Sequence, residues 1–301
     1  MWAGLVIFAV TKMMIMKTST TNQDGVTSRY ADVLLDTSFK RSFKEYGNAK
    51  RLMQLFLEAL IPERKIASLE YTSEENTNQN LGKKGVRVDV ECVDQNGERF
   101  VVEVQRAEQR DFYDRAVYNS TFTVQRQLSA GSGVYGFKPV YFIGIMRFSL
   151  NPEDDRYMYR YSIKEEESGK LMTDNLHYVF LEVTKCRNSK DASLIEKIGY
   201  ALNNMVSFKE RPSGFAGEFF DLLFSSTEIS KFAEKDKIEY LNDMTTERDI
   251  KNQISFAHDK GREEGREEER LILAKKCKAK GLAVDVIIDL TGLSAEEIQM
   301  L

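Results

Sequence analysis

The stretch from Val86 to Gln105, VRVDVECVDQNGERFVVEVQ, constrains the fold most, because apolar and polar residues alternate on both sides of a central turn. Apolar side chains occupy every second position: Val86, Val88, Val90 and Cys92 before the turn, and Phe100, Val102 and Val104 after it. This period is typical of strands with one buried face. Gln95-Asn96-Gly97 supplies the turn, since Gly97 is free to take a positive φ. The stretch predicts a β-hairpin with carboxylates on its polar face.

The length of the turn decides which side chains face each other. A two-residue Asn-Gly loop would place Asp89 opposite an apolar residue and turn Glu103 to the other face. A three-residue loop, Gln95 to Gly97, places Asp89 opposite Glu103 and pairs every apolar residue with an apolar one. We therefore predict that Asp89 and Glu103 lie side by side, roughly 5 Å apart at Cβ, with Gln105 on the same face.

Two carboxylates that face each other across a sheet are destabilising unless a cation lies between them. A hard divalent metal bound by carboxylate oxygens and water meets that need. Asp89 and Glu103 are therefore the predicted metal ligands.

These residues resemble the PD-(D/E)xK nuclease signature, in which an Asp and a hairpin turn precede Glu-x-Lys, with Gln105 standing where most members have lysine. Asp36-Thr-Ser-Phe39-Lys40-Arg-Ser-Phe43 resembles the D-x-x-F-K-x-x-F opening of the bacterial recombination-promoting nuclease/putative transposase family. The segments 111–118 and 138–143 are similar to the helix and strand that follow the Glu-x-Gln strand in that family. The resemblance runs from about residue 29 to residue 186 and again over the tail. The occurrence of all these motifs in the family's order is more specific evidence for the resemblance than any single motif.

The resemblance implies an α/β fold with a restriction-endonuclease-like αβββαβ core, a mixed central sheet and an α-helical C-terminal extension. Periodicity alone predicts most of the same order: helix, strand, hairpin, helix, strand. The implied activity is that of a Mg²⁺-dependent endodeoxyribonuclease, with Mn²⁺ as a substitute ion. Cleavage would leave a 5′-phosphate and a 3′-hydroxyl and promote recombination or transposition.

Candidate site residues follow from the motif positions and the basic helix faces. The catalytic candidates are Asp89, Glu103, Gln105 and Asp36, and the nucleic-acid candidates are Lys40, Arg41, Lys44, Arg110 and Arg115. Each has a plainer alternative: Asp36 as a helix cap, the lysines and arginines as a solvated face, and Arg115 as the partner of nearby aspartates. The Gln105 amide can hydrogen-bond water or a phosphate oxygen, but it carries no positive charge.

Composition sets wider limits. The 42% hydrophobic and 30% charged residues are typical of a soluble globular protein. A net charge of -4 does not indicate nucleic-acid binding, but a local basic groove would suffice. The three cysteines are scattered without zinc-ligand spacing, which predicts a reduced, cytoplasmic protein.

Three segments are predicted along the chain. Residues 1–28 are expected to be a disordered or spurious leader rather than a targeting signal, and their apolar run is too short to span a bilayer, so no membrane partner is predicted. Residues 29–244 form the nuclease-like domain with helical additions. Residues 245–301 form a charged helical tail that ends in a helix-turn-helix-like hairpin. Its final helix is acidic, which argues against groove reading and favours packing on the body or self-association into a homo-oligomer through the C-terminal helices.

The leading functional hypothesis is a metal-dependent DNA endonuclease, with DNA as the partner. One alternative is a catalytically silent module that binds nucleic acid on the same sheet. The other is a structural protein in which Asp89 and Glu103 are solvated acids at a strand edge.

Overall fold

The computed structural model describes residues 28–72, 88–108, 111–128, 133 and 135–301. The chain divides into two compact units between Lys237 and Ile238. The assignment of residues 29–244 and 245–301 as separate domains stays a prediction.

The first unit is built on a six-stranded sheet in the order β1-β2-β3-β4-β6-β5. Its strands are β1 (Leu69–Tyr71), β2 (Val90–Asp94), β3 (Arg99–Gln105), β4 (Val140–Met146), β5 (Met158–Ser162) and β6 (Leu176–Glu182). The pairs β3/β4 and β4/β6 are parallel, whereas β1/β2, β2/β3 and β5/β6 are antiparallel. The predicted mixed α/β sheet is confirmed.

The hairpin of β2 and β3 has the predicted register. Val90 pairs with Val102 and Cys92 with Phe100. The turn between Asp94 and Glu98 therefore holds three residues, and Gly97 takes φ +81°. Val90, Cys92, Phe100 and Val102 are all buried on one face, and a one-residue slip would turn the side chains of one strand to the opposite face, away from the larger core.

The strand before the turn is shorter than predicted. Within the described residues β2 begins at Val90, and Asp89 lies in a bend just before it. Val88 packs against the hydrophobic cluster on the sheet face opposite to Val90, so the chain leaves the ladder at Asp89. The predicted hairpin residues Val86 and Arg87 lie outside the described residues.

Helices cover both faces of the sheet. They are α1 (Asp36–Lys40), α2 (Ala49–Leu60), α3 (Phe112–Gln125), α4 (Leu194–Asn204) and α5 (Glu218–Thr227), with a π-helical turn at Arg41–Glu45 that continues α1. The larger hydrophobic core joins one face of the sheet to α1, α2, α4 and α5. The smaller core places α3 on the other face through Phe112 and Ala116, against Val101, Phe142 and Phe180.

Two elements differ in part from what the sequence indicates. Alternating Tyr and Arg residues in the segments 157–163 and 178–183 predict a half-exposed pair of edge strands; β5 and β6 do pair, with β5 at the edge, but β6 lies between β4 and β5 and is largely buried. Helical spacing predicts one helix from Phe215 to Tyr240, but it is interrupted between α5 and the next helix, where Ile229–Lys231 form a 3₁₀ turn. A parallel neighbour such as β4 is distant in sequence, so alternation along a single strand does not reveal it.

The long helix α6 (Glu234–Ala279) crosses the division between the units, and α7 (Val284–Thr291) and α8 (Ala295–Met300) follow it. In the second unit the end of α6 packs on α7 and α8 through Ala274, Cys277, Ile287, Leu293 and Ile298. Ser294 followed three residues later by Glu297 is the sequence pattern of a capping box, and it forms: each side chain accepts a hydrogen bond from the backbone N–H of the other residue. None of the described helices combines the length and apolarity that crossing a bilayer requires.

Candidate active site

Glu103 is the most buried carboxylate of the hairpin motif. It lies on the sheet face that α3 covers, two residues beyond Val101, and only 4% of it is exposed. Its Oε1 accepts hydrogen bonds from Gln105 Nε2 (2.8 Å) and Arg115 Nη2 (2.5 Å). Its Oε2 accepts one from Asn119 Nδ2 (2.9 Å). These three donors hold the buried carboxylate in one orientation.

Asp89 reaches the same place from the neighbouring strand. Its Oδ2 accepts a hydrogen bond from the Val104 backbone N–H at 2.6 Å, so its carboxylate points along the plane of the sheet toward the edge of β3. N–H and C=O of one strand residue point to the same side, so the Val104 carbonyl also faces Asp89. The hairpin register is the one that was predicted to bring Asp89 beside Glu103. However, the Asp89 carboxylate binds the Val104 N–H in the plane of the sheet and does not project from the face on which Glu103 lies.

Burial raises the pKa of the Asp89 carboxyl to about 7. The negative charges of Asp36 and Glu103 raise this pKa further, whereas the hydrogen bond from Val104 and the charge of Lys40 lower it. Carboxylates that repel each other in this way are stabilised by an added cation. The structure thus brings the candidates Asp36, Glu103 and Lys40 within electrostatic range of Asp89.

Asp36 and Lys40 belong to α1, which is attached to this end of the sheet. Lys40 Nζ lies 3.1 Å from an Asp36 carboxylate oxygen, one helical turn away. The Arg147 backbone N–H donates to the Gln105 carbonyl at 2.9 Å, and the Arg147 guanidinium binds both oxygens of Asp32 at 2.7 Å. Arg147 therefore connects the end of β3 to the segment just before α1. The hypothesis that Asp36 caps the helix finds no support, since no side-chain cap bond is formed at this N-terminus.

The other nucleic-acid candidates have different positions. Arg115 is 39% exposed at its side chain, and its guanidinium binds Glu103. Lys44 is half-buried in the π-helical turn. Arg110 lies outside the described residues.

The structure places Arg41 inside the fold, which does not favour the predicted contact between Arg41 and nucleic acid. Only 7% of Arg41 is exposed, and its Nε lies 3.0 Å from Asp236 Oδ2. Its guanidinium donates to the Ser226 carbonyl and lies 3.9 Å from the centroid of the Phe232 ring. Arg41 faces inward because the helical turn that continues from α1 packs against the end of α5, so its charge is used inside the protein.

Sequence reasoning missed three residues of this region: Asn119, Asp32 and Arg147. The signal for Asn119 was its spacing from Arg115, since residues four apart share one face of a helix. Arg147 directly follows the buried strand β4, where the carboxyl ends of β3 and β4 meet. Ligands of α/β sheets commonly bind beyond the carboxyl ends of parallel strands, so a charged residue there was a usable signal.

The donor set fits a small, hard divalent cation. Asp89, Glu103 and the Val104 carbonyl offer oxygen atoms, and Mg²⁺ is typically held by one or two carboxylates with water in its other positions. Within the part of the chain that the structure describes, no group of three or more His, Cys, Asp or Glu side chains is placed to hold a metal. Two carboxylates and a backbone carbonyl are oxygen donors, which suit Mg²⁺, whereas structural zinc is typically held by four Cys or His ligands.

The comparison with known proteins agrees with this geometry. No curated protein and no solved structure matches the chain. The family model described as PD-(D/E)XK nuclease family transposase matches residues 33–257, which include α1, the hairpin, α3 and all strands of the sheet. Because this match covers most of the chain, the protein belongs to the PD-(D/E)XK nuclease family transposases and has the nuclease-type function of that family.

Proposed function

We propose that this protein is a divalent-metal-dependent endonuclease that hydrolyses phosphodiester bonds of DNA, with Asp89 and Glu103 as the metal ligands. The observation that carries the proposal is the hydrogen bond of 2.6 Å from the Val104 N–H to Asp89, because it holds the Asp89 carboxylate beside the strand residue that follows Glu103. Mg²⁺ is the proposed ion, and Mn²⁺ has the same preference for oxygen ligands.

Bound there, the ion would polarise the scissile phosphate and lower the pKa of an attacking water. The chain's own residues prepare the site for it. Arg115, Asn119 and Gln105 fix the Glu103 carboxylate, and the Val104 N–H fixes that of Asp89. Oxygen lone pairs remain on both carboxylates, since each oxygen can accept more than one bond.

Hydrolysis adds water across the bond between phosphorus and the 3′-oxygen, so that a 5′-phosphate and a 3′-hydroxyl are formed. Gln105 can orient the water or a phosphate oxygen through its amide, in addition to its bond to Glu103. Because the amide is neutral, it gives less stabilisation to the developing negative charge than the lysine of the usual motif.

The wider biological role is also part of the proposal. We place the protein in the cytoplasm, where its three buried thiols stay reduced, and assign it to cleavage that promotes recombination or transposition. The C-terminal helices are proposed to be dispensable for chemistry and to mediate self-association, because α7 and α8 expose apolar side chains such as Val286 and Leu290.

The decisive experiment incubates the purified protein with supercoiled plasmid in Mg²⁺, in Mn²⁺ and with a chelator. Asp89→Ala and Glu103→Ala should each abolish cleavage, because each removes one of two carboxylate ligands. Glu70→Ala is the matched control: this exposed acid lies in β1 and pairs only with Lys50 among the contacts described, so cleavage should persist.

Retention of metal-dependent cleavage by both site variants would contradict the assignment. Binding of plasmid without cleavage in any metal would favour the alternative of a catalytically silent nucleic-acid-binding module. The neutral Gln105 is compatible with that alternative, because it lacks the charge of the usual motif lysine. An electrophoretic binding assay on the same samples separates these outcomes.

A further inference from the structure

The motif position at the end of β3 holds the neutral Gln105 instead of the usual lysine. Gln105 is neutral, and its Nε2 already donates to Glu103 at 2.8 Å. Arg115 is charged, but its guanidinium is also bound to Glu103. Both groups therefore orient a proposed metal ligand. A phosphoryl transition state nevertheless gains negative charge on its oxygens, and enzymes commonly place Lys, Arg or a metal ion against it.

Lys40 is a positive charge of α1 that acts electrostatically on Asp89. Its side chain is only 14% exposed, although the carboxylate that it pairs with, on Asp36, is largely exposed. The Lys40 ammonium therefore lies against the protein, and the Asp36 carboxylate that binds it lies at the protein surface. Among the charged groups that act on Asp89, Lys40 and Asp36 both come from α1.

Two contacts fix α1 in this position. Phe39, next to Lys40, is fully buried and stacks on Phe43 with their ring centroids 4.7 Å apart. At the other end of the segment, Asp32 accepts two hydrogen bonds from Arg147, whose backbone N–H binds the Gln105 carbonyl. Lys40 therefore lies on a helix that is packed into the core. Arg147 connects the segment before this helix to Gln105, whose missing positive charge Lys40 would supply.

Lys40 and Arg41 are adjacent basic residues with opposite roles in the structure. Arg41 points into the fold and is saturated by Asp236 and backbone carbonyls. Lys40 instead acts electrostatically on Asp89, and its described partner is an exposed i,i+4 aspartate, a type of pair that contributes little to stability. Such a pair can exchange readily for a phosphate oxygen.

We propose that Lys40 is a catalytic residue that replaces the lysine absent from the motif, contacting the scissile phosphate from α1 while Asp36 acts as its positioning residue. This inference rests on the proposed nuclease function. Counted as formal charges, the carboxylates of Asp36, Asp89 and Glu103, the cations of Lys40 and Arg115 and one bound divalent ion leave the site net positive toward one phosphodiester. Lys40 exchanges no proton in this scheme: water supplies the attacking oxygen and releases one proton to solvent, and the leaving 3′-oxygen takes up one proton from solvent.

The test is a charge relocation within the site. Single-turnover cleavage of a labelled duplex in saturating Mn²⁺ is measured for Lys40→Gln, Lys40→Arg, and the double variant Lys40→Gln/Gln105→Lys. Lys50→Gln is the matched control, because it removes the same charge from α2 at a residue that is paired with Glu70. Thermal unfolding of every variant verifies the fold.

Lys40→Gln should slow cleavage by about a hundredfold, the usual effect of losing one preorganised partner of the developing charge. Lys40→Arg should retain more of the rate than Lys40→Gln, and Gln105→Lys in the Lys40→Gln background should recover at least about tenfold. Lys50→Gln should stay close to the parental rate. Parental cleavage by Lys40→Gln would overturn the proposal, as would a folded double variant that cleaves no faster than Lys40→Gln.

A second readout separates this inference from the nuclease proposal. Affinity for a short duplex is measured in Ca²⁺ over a range of salt concentrations, which requires no turnover. Lys40→Gln should bind about tenfold more weakly and lose about one unit of the logarithmic salt slope, as expected for one lost phosphate contact. If the parent protein cleaves nothing, the proposed nuclease function fails, while this binding result still decides the phosphate contact of Lys40. Unchanged affinity and slope would overturn it.

Discussion

Replacing Asn119 with alanine should destabilise the protein by about 2 kcal/mol, because a hydrogen bond to a charged group contributes about 1.5–3 kcal/mol. Asn119 is 7% exposed, and its Nδ2 donates to Glu103 Oε2 at 2.9 Å. Water cannot easily replace this donor, since Glu103 is itself almost fully buried. The loss stops short of a fully unpaired buried charge, because Arg115 and Gln105 still bind the other oxygen.

The same substitution should weaken metal binding without removing a ligand. Residues that orient a ligand typically change metal affinity or activity by about 10–100-fold when they are replaced. Asn119→Ala should therefore bind Mn²⁺ at least about tenfold more weakly in calorimetry. Mg²⁺ should also raise the unfolding free energy of the parent more than that of the variant, since a ligand that binds only the folded state stabilises it.

Urea unfolding followed by circular dichroism measures the stability change, with Gln125→Ala as the matched control. Gln125 is an exposed amide near the end of the same helix, so its loss should change the unfolding free energy by less than about 0.5 kcal/mol. An Asn119→Ala protein as stable as the control variant would refute the reasoning that this hydrogen bond holds a buried carboxylate. Unchanged Mn²⁺ affinity would refute its connection to the metal.

Three further outcomes are expected. Gly144→Ala should lower the unfolding free energy by about 1–3 kcal/mol, because an added Cβ would lie 2.8 Å from Phe112 Cζ and 2.9 Å from Phe180 Cδ1; denaturant unfolding measures this, and an unchanged midpoint would count against tight packing of α3. Burial raises the pKa of the Cys92 thiol to about 12, so iodoacetamide at about pH 8 should not label Cys92 in the folded protein. The unfolded thiol has a pKa of about 8.5 and should be labelled, and mass spectrometry measures the difference. Since the folded pKa lies above the unfolded one, this group's contribution to stability should be lost as the pH rises above about 8.5; rapid labelling of Cys92 in the native state would show that it is accessible. Truncation before Thr245 should preserve cleavage and lower the mass measured by light scattering by more than the deleted segment; a simple loss of that segment's mass would argue against self-association through the C-terminal helices.

The sequence by itself determined the hairpin and its register. The alternation of apolar residues around Gln95-Asn96-Gly97 favours the pairing of Val90 with Val102, and this pairing is observed. The capping box at Ser294 was equally readable, because both of its hydrogen bonds connect residues three positions apart. Such features depend on contacts between residues that are close in the sequence, so a short stretch of sequence is enough to predict them.

Only the tertiary structure decided what the charged residues do. Lys40 and Arg41 are neighbours in one basic run, yet Arg41 finds its ion-pair partner 195 residues later in the chain. Asn119 and Arg115 meet Glu103 because the smaller core seats α3 over that part of the sheet. Arg147 similarly joins Gln105 to Asp32, 115 residues before it in the sequence. A side chain's partner depends on which distant elements pack together, and apolar periodicity predicts that an element is buried without saying against which charges it will lie.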